Sequence, residues 1–93
     1  MLEIIFSKRA EKDLAKAPKA IQEKVLQWKT LVERLGLFLT RQTMKGLHDE
    51  PLSGQRKGQR SIRLNKQWRL IYEEKTGILI EIQELNAHDY RTR

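Results

Sequence analysis

The hydrophobic pattern of this chain changes period once, and that change constrains the fold more than any other feature. Between residues 8 and 36 apolar side chains recur every three or four positions, the spacing of one helix face. Ala10, Leu14 and Ala17 make a first stripe over a helix predicted at 8–17, with Ser7 as its N-cap. Pro18 suits the first turn of a second helix, where its missing N–H costs nothing. Ile21, Val25, Trp28, Val32 and Leu35 form the second stripe, and Gly36 is its expected stop. Trp28 is read as a core residue. From residue 60 onward the period becomes two, which predicts strands at 60–64, 67–72 and 78–85 with turns at 65–66 and 74–77. Alternation separates Ile62 and Leu64 from Ser61 and Arg63, and Trp68, Leu70 and Tyr72 from Arg69 and Ile71. In the last strand it separates Ile78, Ile80 and Ile82 from Leu79, Glu81 and Gln83. A β-branched run at 2–6 adds a short strand ahead of the helices.

This order is α+β: a short N-terminal strand, a two-helix hairpin, then a three-stranded antiparallel meander with the helices packed on one face. The opposite face is left open and displays Arg63 and Arg69. At 37–59 the periodicity fades into a stretch punctuated by Gly46, Pro51, Gly54 and Gly58, with Leu47 and Leu52 as apolar anchors. Connections of that length are commonly functional. No repeat or composition shift divides residues 1–93, so one domain with one modest core is expected.

Charge narrows the partners. The net charge is +7, and residues 41–70 alone carry eight basic and two acidic side chains, or +6. Such a cluster attracts polyanions by releasing their counterions, and nucleic acid is the usual one. Cys is absent, which excludes disulfides, thiol chemistry and Cys-ligated zinc, and two His make a His-rich metal site unexpected. Neither a metal nor a cofactor is therefore expected. The first apolar run, Ile4-Ile5-Phe6, is too short for a signal peptide or a spanning helix, so a cytoplasmic protein with no membrane partner is expected.

Without a metal or an activated Ser or Cys, most hydrolytic mechanisms lack parts. RNA cleavage is an exception, because the ribose 2′-OH is the nucleophile. It needs a base for the 2′ proton, cations for the phosphorane charge and an acid for the leaving 5′ oxygen. His88, Asp89 and Tyr90, just past the last strand, supply acid–base types. Arg63 and Arg69 lie on neighbouring strands, and Lys45, His48, Arg56, Lys57 and Arg60 lie in or beside the basic stretch. Taken singly, each has a structural reading as well: a surface histidine, an Asp–Arg pair, a Tyr covering the sheet edge.

The run at 52–72, with its Gly-x-x-x-Gly-x-x-Ser-Ile-Arg-x-Asn-x-x-Trp-Arg pattern from Gly54 to Arg69, resembles the RelE/HigB toxin superfamily of type II toxin–antitoxin systems. It looks most like the HigB branch. Asp89-Tyr90 after Glu84-Leu85-Asn86 is similar to that branch's C-terminal motif, and the opening 6–14 reads like a RelE/ParE-type first helix. The resemblance implies a RelE-like fold and a ribosome-dependent, metal-independent mRNA endonuclease that inhibits translation. It also implies a cognate antitoxin, through which alone the toxin would reach operator DNA. Carried over, Arg69 would hold the scissile phosphate, Asp89 would serve acid–base chemistry or position the 2′-OH, and Tyr90 would orient the substrate. His88 precedes the Asp-Tyr pair where the branch has His after it, at Arg91 here. Around the Pro-Leu pair the branch carries His and Lys, where this chain has Glu50 and Ser53; His48, Arg56 or Lys57 stand nearest as substitutes. Two other readings remain open: a ParE-like inhibitor of DNA gyrase on the same scaffold, and an inactive module that only binds antitoxin.

Overall fold

The computed structural model describes residues 2–87. Strand β1 (Glu3–Phe6) leads into helix α1 (Lys8–Lys16), and α2 (Lys19–Thr43) follows across Ala17 and Pro18. Strands β2 (Glu50–Pro51), β3 (Gln59–Arg63), β4 (Trp68–Thr76) and β5 (Leu79–Ala87) complete a five-stranded sheet of order β1-β5-β4-β3-β2. The predicted meander is present, since β3, β4 and β5 pair antiparallel. β1 adds to β5 in parallel, which the intervening helices permit.

Ser7 caps α1 as its sequence position predicts. Its Oγ accepts from the Ala10 N–H at 3.0 Å and donates to the Gln83 carbonyl at 2.8 Å, so one hydroxyl both starts the helix and ties it to β5. Asp13, one turn further on, accepts from the Leu85 N–H at 3.0 Å. The α2 stripe of Ile21, Val25, Trp28 and Val32 is buried against Ile62, Leu70, Tyr72, Ile80 and Ile82. Trp28 sits at its centre, its ring centroid 4.9 Å from that of Tyr72 in a tilted stack.

Several expectations need correcting. Gly36 does not stop α2 but kinks it, at φ 83° and ψ 167°. The helix resumes and runs to Thr43, with Leu37 and Thr40 turned inward. Leu35, just ahead of the kink, is exposed rather than on the buried stripe, with Phe38 and Leu39 also exposed, and Leu37 takes the inward position beyond it. The stretch 37–59 is therefore no continuous loop. It holds the end of α2, two single 3₁₀ turns (Lys45–Leu47 and Gly54–Arg56) and the edge strand β2. Ile78 is 63% exposed in the turn ahead of β5, not on the core face. Finally, a bulge in β5 breaks strict alternation: Tyr72 pairs with Ile82, but Ile71 pairs with Glu84, and Gln83 is the extra residue. The bulge returns Leu85 to the core and turns Glu84 to the face opposite it.

One polar cluster anchors the irregular stretch to the core. The Asp49 carboxylate, 7% exposed, accepts from Tyr72 Oη at 2.6 Å, Arg60 Nε at 2.7 Å and Arg41 Nε at 3.2 Å. Arg41 Nη2 donates to the same tyrosine oxygen at 3.0 Å. Burial, and then the bond to Asp49, push the Tyr72 hydroxyl far above its ordinary range, so it remains a donor.

Two stability predictions follow from this geometry. The Gly36 conformation is one that only glycine adopts without strain, so Gly36→Ala should lower the unfolding free energy by about 1–3 kcal/mol. Asp49→Ala strands two guanidiniums and a buried hydroxyl. It should cost about 3 kcal/mol, the low end for breaking a buried pair because both arginines keep some water. Urea unfolding of each variant measures both, and a loss within 0.5 kcal/mol, about the size of a neutral surface substitution, would contradict the account.

Candidate active surface

On the sheet face away from the helices, Arg69 is buried on β4, its side chain 10% exposed. Its Nη1 donates to Ser61 Oγ of β3 at 3.1 Å, and the Glu50 carboxylate of β2 lies 4.0 Å from the same nitrogen. The strand register produces this meeting. Glu50 pairs with Ser61, Ser61 with Ile71, and Arg63 with Arg69, so the four polar side chains share one face. Arg63 is exposed beside it. The face predicted from alternation to carry Arg63 and Arg69 does carry both.

The β5 bulge adds a second group. Glu84 accepts from Asn86 Nδ2 at 2.9 Å and Arg56 Nη2 at 3.1 Å, with Arg9 Nη2 at 3.7 Å. Burial alone would raise its pKa. The Asn86 and Arg56 bonds and the charges of Arg56 and Arg9 outweigh it, so the net shift is downward and Glu84 is held as a carboxylate. Gln83 donates to Glu73 at 2.7 Å, and that bond, reinforced by Lys75, also lowers the Glu73 pKa.

The residues singled out from sequence divide between three places. Arg69, Arg63 and Arg56 come together on the open face, with Lys57 exposed in the turn before β3. Arg60 points to the helix side of the sheet, where Asp49 holds it. Lys45 and His48 lie at the far end of α2; His48, in a left-handed conformation (φ 50°), lines a cleft of about 570 Å³ with Met44, Leu47, Arg63, Leu64 and Lys66. His88, Asp89 and Tyr90 lie outside the described residues. Glu50 is the group that sequence reasoning missed. The sequence carries no local signal for it, because only the register of β2 on β3 brings it to Arg69. Among the described residues, no group of three or more His, Cys, Asp or Glu is placed to hold a metal ion.

A carboxylate beside a fixed guanidinium, on a face rimmed with further cations, can accept a proton and hold a phosphate at once. Known proteins share this scaffold. YafQ from Escherichia coli strain BL21(DE3) superposes with a TM-score of 0.75 at 26% identity, over 94% of this chain and 93% of that one. YafQ in the E. coli DinJ–YafQ toxin–antitoxin complex gives 0.68 at 27% identity, over 94% and 92%. The archaeal RelE–RelB complex from Pyrococcus horikoshii OT3 gives 0.71 at 22% identity, over 96% and 97%, a likeness of fold. No curated protein sequence matches the chain. The model of the ParE toxin of type II toxin–antitoxin systems matches residues 4–89, a ParE rather than a HigB description. With nearly its whole length matched, the chain belongs to the ParE toxin family, within the RelE/ParE superfamily of type II toxins.

Proposed function

We propose that this toxin is a ribosome-dependent, metal-independent mRNA endonuclease of the cytoplasm, a single domain over 1–93, held in check by a cognate antitoxin. The observation that carries the reading is Arg69, fixed by Ser61 on the open face with the Glu50 carboxylate 4.0 Å away. Glu50 takes the 2′-OH proton of the ribose. The freed 2′ oxygen attacks the adjacent phosphorus, and Arg69 neutralises the added charge on the phosphorane. The bond to the 5′ oxygen then breaks, an acid returns a proton to it, and the products are a 2′,3′-cyclic phosphate and a 5′-hydroxyl. His88, Asp89 and Tyr90 are the residues that the HigB resemblance offers for the acid and for substrate orientation. Arg56, Lys57 and Arg63 meet the neighbouring phosphates, and rRNA is a second polyanion for the basic surface.

The antitoxin reading is supported by the DinJ–YafQ complex, in which a relative of 27% identity is bound to its partner. An acidic segment over the open face would neutralise it, and operator DNA is reached only through that partner. The ParE description of the matching family model favours a second reading, inhibition of DNA gyrase on the same scaffold.

Brief expression of the protein alone, followed by mapping of 5′-hydroxyl mRNA ends, tests the proposal. Cleaved mRNA and a stop in translation ahead of DNA synthesis are the expected results. Intact mRNA with DNA-damage signalling would give the toxin to gyrase instead. On programmed ribosomes, Arg69→Ala should slow cutting by about 10²–10³-fold, the scale of a lost transition-state donor. Glu50→Gln should slow it by about 10²–10⁴-fold, the scale of a lost general base. Full cutting by Glu50→Gln would move the base to the residues beyond Ala87.

A further inference from the structure

The cleft beside the turn between β3 and β4 holds none of the groups placed on the reacting bond and shares only Arg63 with the phosphate-binding surface, yet its lining is chemically mixed. Met44, Leu47 and Leu64 give it apolar walls, and Lys24, Arg63 and Lys66 surround them with positive charge. We propose that the cleft is a nucleotide subsite, in which the base flanking the scissile phosphate packs against the apolar wall while Arg63 and Lys66 hold that nucleotide's phosphate. The inference rests on the nuclease reading and deepens it, because it names a part of the substrate that is gripped away from the reacting bond.

Continuity with the open face is the main argument. Arg63 lines the cleft and is also the direct cross-strand partner of Arg69. Such partners stand about 4.5–5.5 Å apart at Cα, so a strand of RNA leaving Arg69 meets the next cation at once. Volume is the second argument. At about 570 Å³ the cleft falls within the ordinary size of small-ligand sites and has room for a nucleoside. Pre-organisation is the third. Lys24 Nζ donates to the Leu64 carbonyl at 2.6 Å, which ties α2 to the end of β3 across the rim. Asn65 Oδ1 accepts from the N–H groups of Gln67 at 2.8 Å and Trp68 at 2.7 Å. The turn is thereby fixed, and the Asn65 NH₂ is left to donate to a base edge. An acidic protein segment would satisfy the same cations, but the unbroken line from Arg63 to Arg69 fits a single polyanion crossing both sites.

Two substitutions test the cleft by different means. Gly46 lines it, has an ordinary φ, and a side chain there would meet open space, so Gly46→Trp fills the cleft without straining the backbone. Lys66→Glu reverses its charge. Each variant is first checked for an unchanged melting temperature. Affinity is then measured by fluorescence anisotropy on short RNAs blocked by a 2′-deoxy group and differing in one base. Cutting preference is read from mapped mRNA ends, and antitoxin affinity from titration. Both variants should bind the blocked RNA about tenfold more weakly, and both should lose base preference at one flanking position. Unchanged affinity and preference in a protein that still cuts mRNA would overturn the subsite and leave the nuclease standing. Weakened RNA binding by variants of a protein that cuts no mRNA would keep the cleft as an RNA contact but sink the nuclease, and with it the assignment to a base beside a scissile phosphate. Lost antitoxin affinity with RNA affinity intact would assign the cleft to the protein partner and overturn the proposal.

Discussion

The contact between Asp49 and the Tyr72 hydroxyl is the constraint on which the active face depends. Tyr72 is held from below by Trp28, in the middle of the core. Its hydroxyl fixes Asp49, and successive residues of an extended segment point to opposite sides. Once Asp49 is buried on the helix side with Arg41 and Arg60, Glu50 is delivered to the other side, opposite Ser61 and beside Arg69. A two-residue edge strand has too few ladder bonds to hold its own register. A charged, buried side chain does it instead, and a slip of one residue would exchange the two carboxylates.

Strand β4 carries the same division through the middle of the sheet. Leu70 and Tyr72 face the helices, while Arg69 and Ile71 face outward yet are nearly as buried. Burying a guanidinium costs desolvation, and Ser61 and Glu50 offset part of that cost. The return is electrostatic: a cation already stripped of bulk water acts on a bound phosphate through a lower effective dielectric than a surface lysine does. The β5 bulge serves the same face. Without it Glu84 would point into the core, and Arg56 would lose the carboxylate that now holds it over the sheet.

What could be read from sequence was whatever depends on period. The α2 stripe, the Ser7 cap, the meander and the shared face of Arg63 and Arg69 all follow from spacing alone. What escaped was set by events that break a period. Gly36 looked like a terminator because glycine commonly is one, and only tertiary packing of Leu37 and Thr40 restarts the helix beyond it. Gln83 gives no local sign that it is an extra residue, since a bulge is decided by the partner strand. Ile78 fits the alternation of β5 but lies in the turn one residue ahead of the strand, where its side chain meets solvent. Glu50 was unremarkable until pairing with Ser61 gave it a neighbour. Its significance is a property of register, which one strand's sequence does not contain.

Charge shows the same distinction between composition and arrangement. Of the eight cations in 41–70, Arg41 and Arg60 are committed to Asp49, Arg56 to Glu84, and Arg69 to its place on the sheet. Lys45, Lys57, Arg63 and Lys66 make no ion pair among the described residues and are exposed. Counterion release scales with the phosphates neutralised, not with net charge, so long-range attraction to RNA falls mainly to these four. The paired arginines act differently. They are positioned before the ligand arrives, and an incoming phosphate competes with a carboxylate for them. The middle segment thus divides its work, with exposed, unpaired cations gathering a polyanion and anchored guanidiniums orienting it.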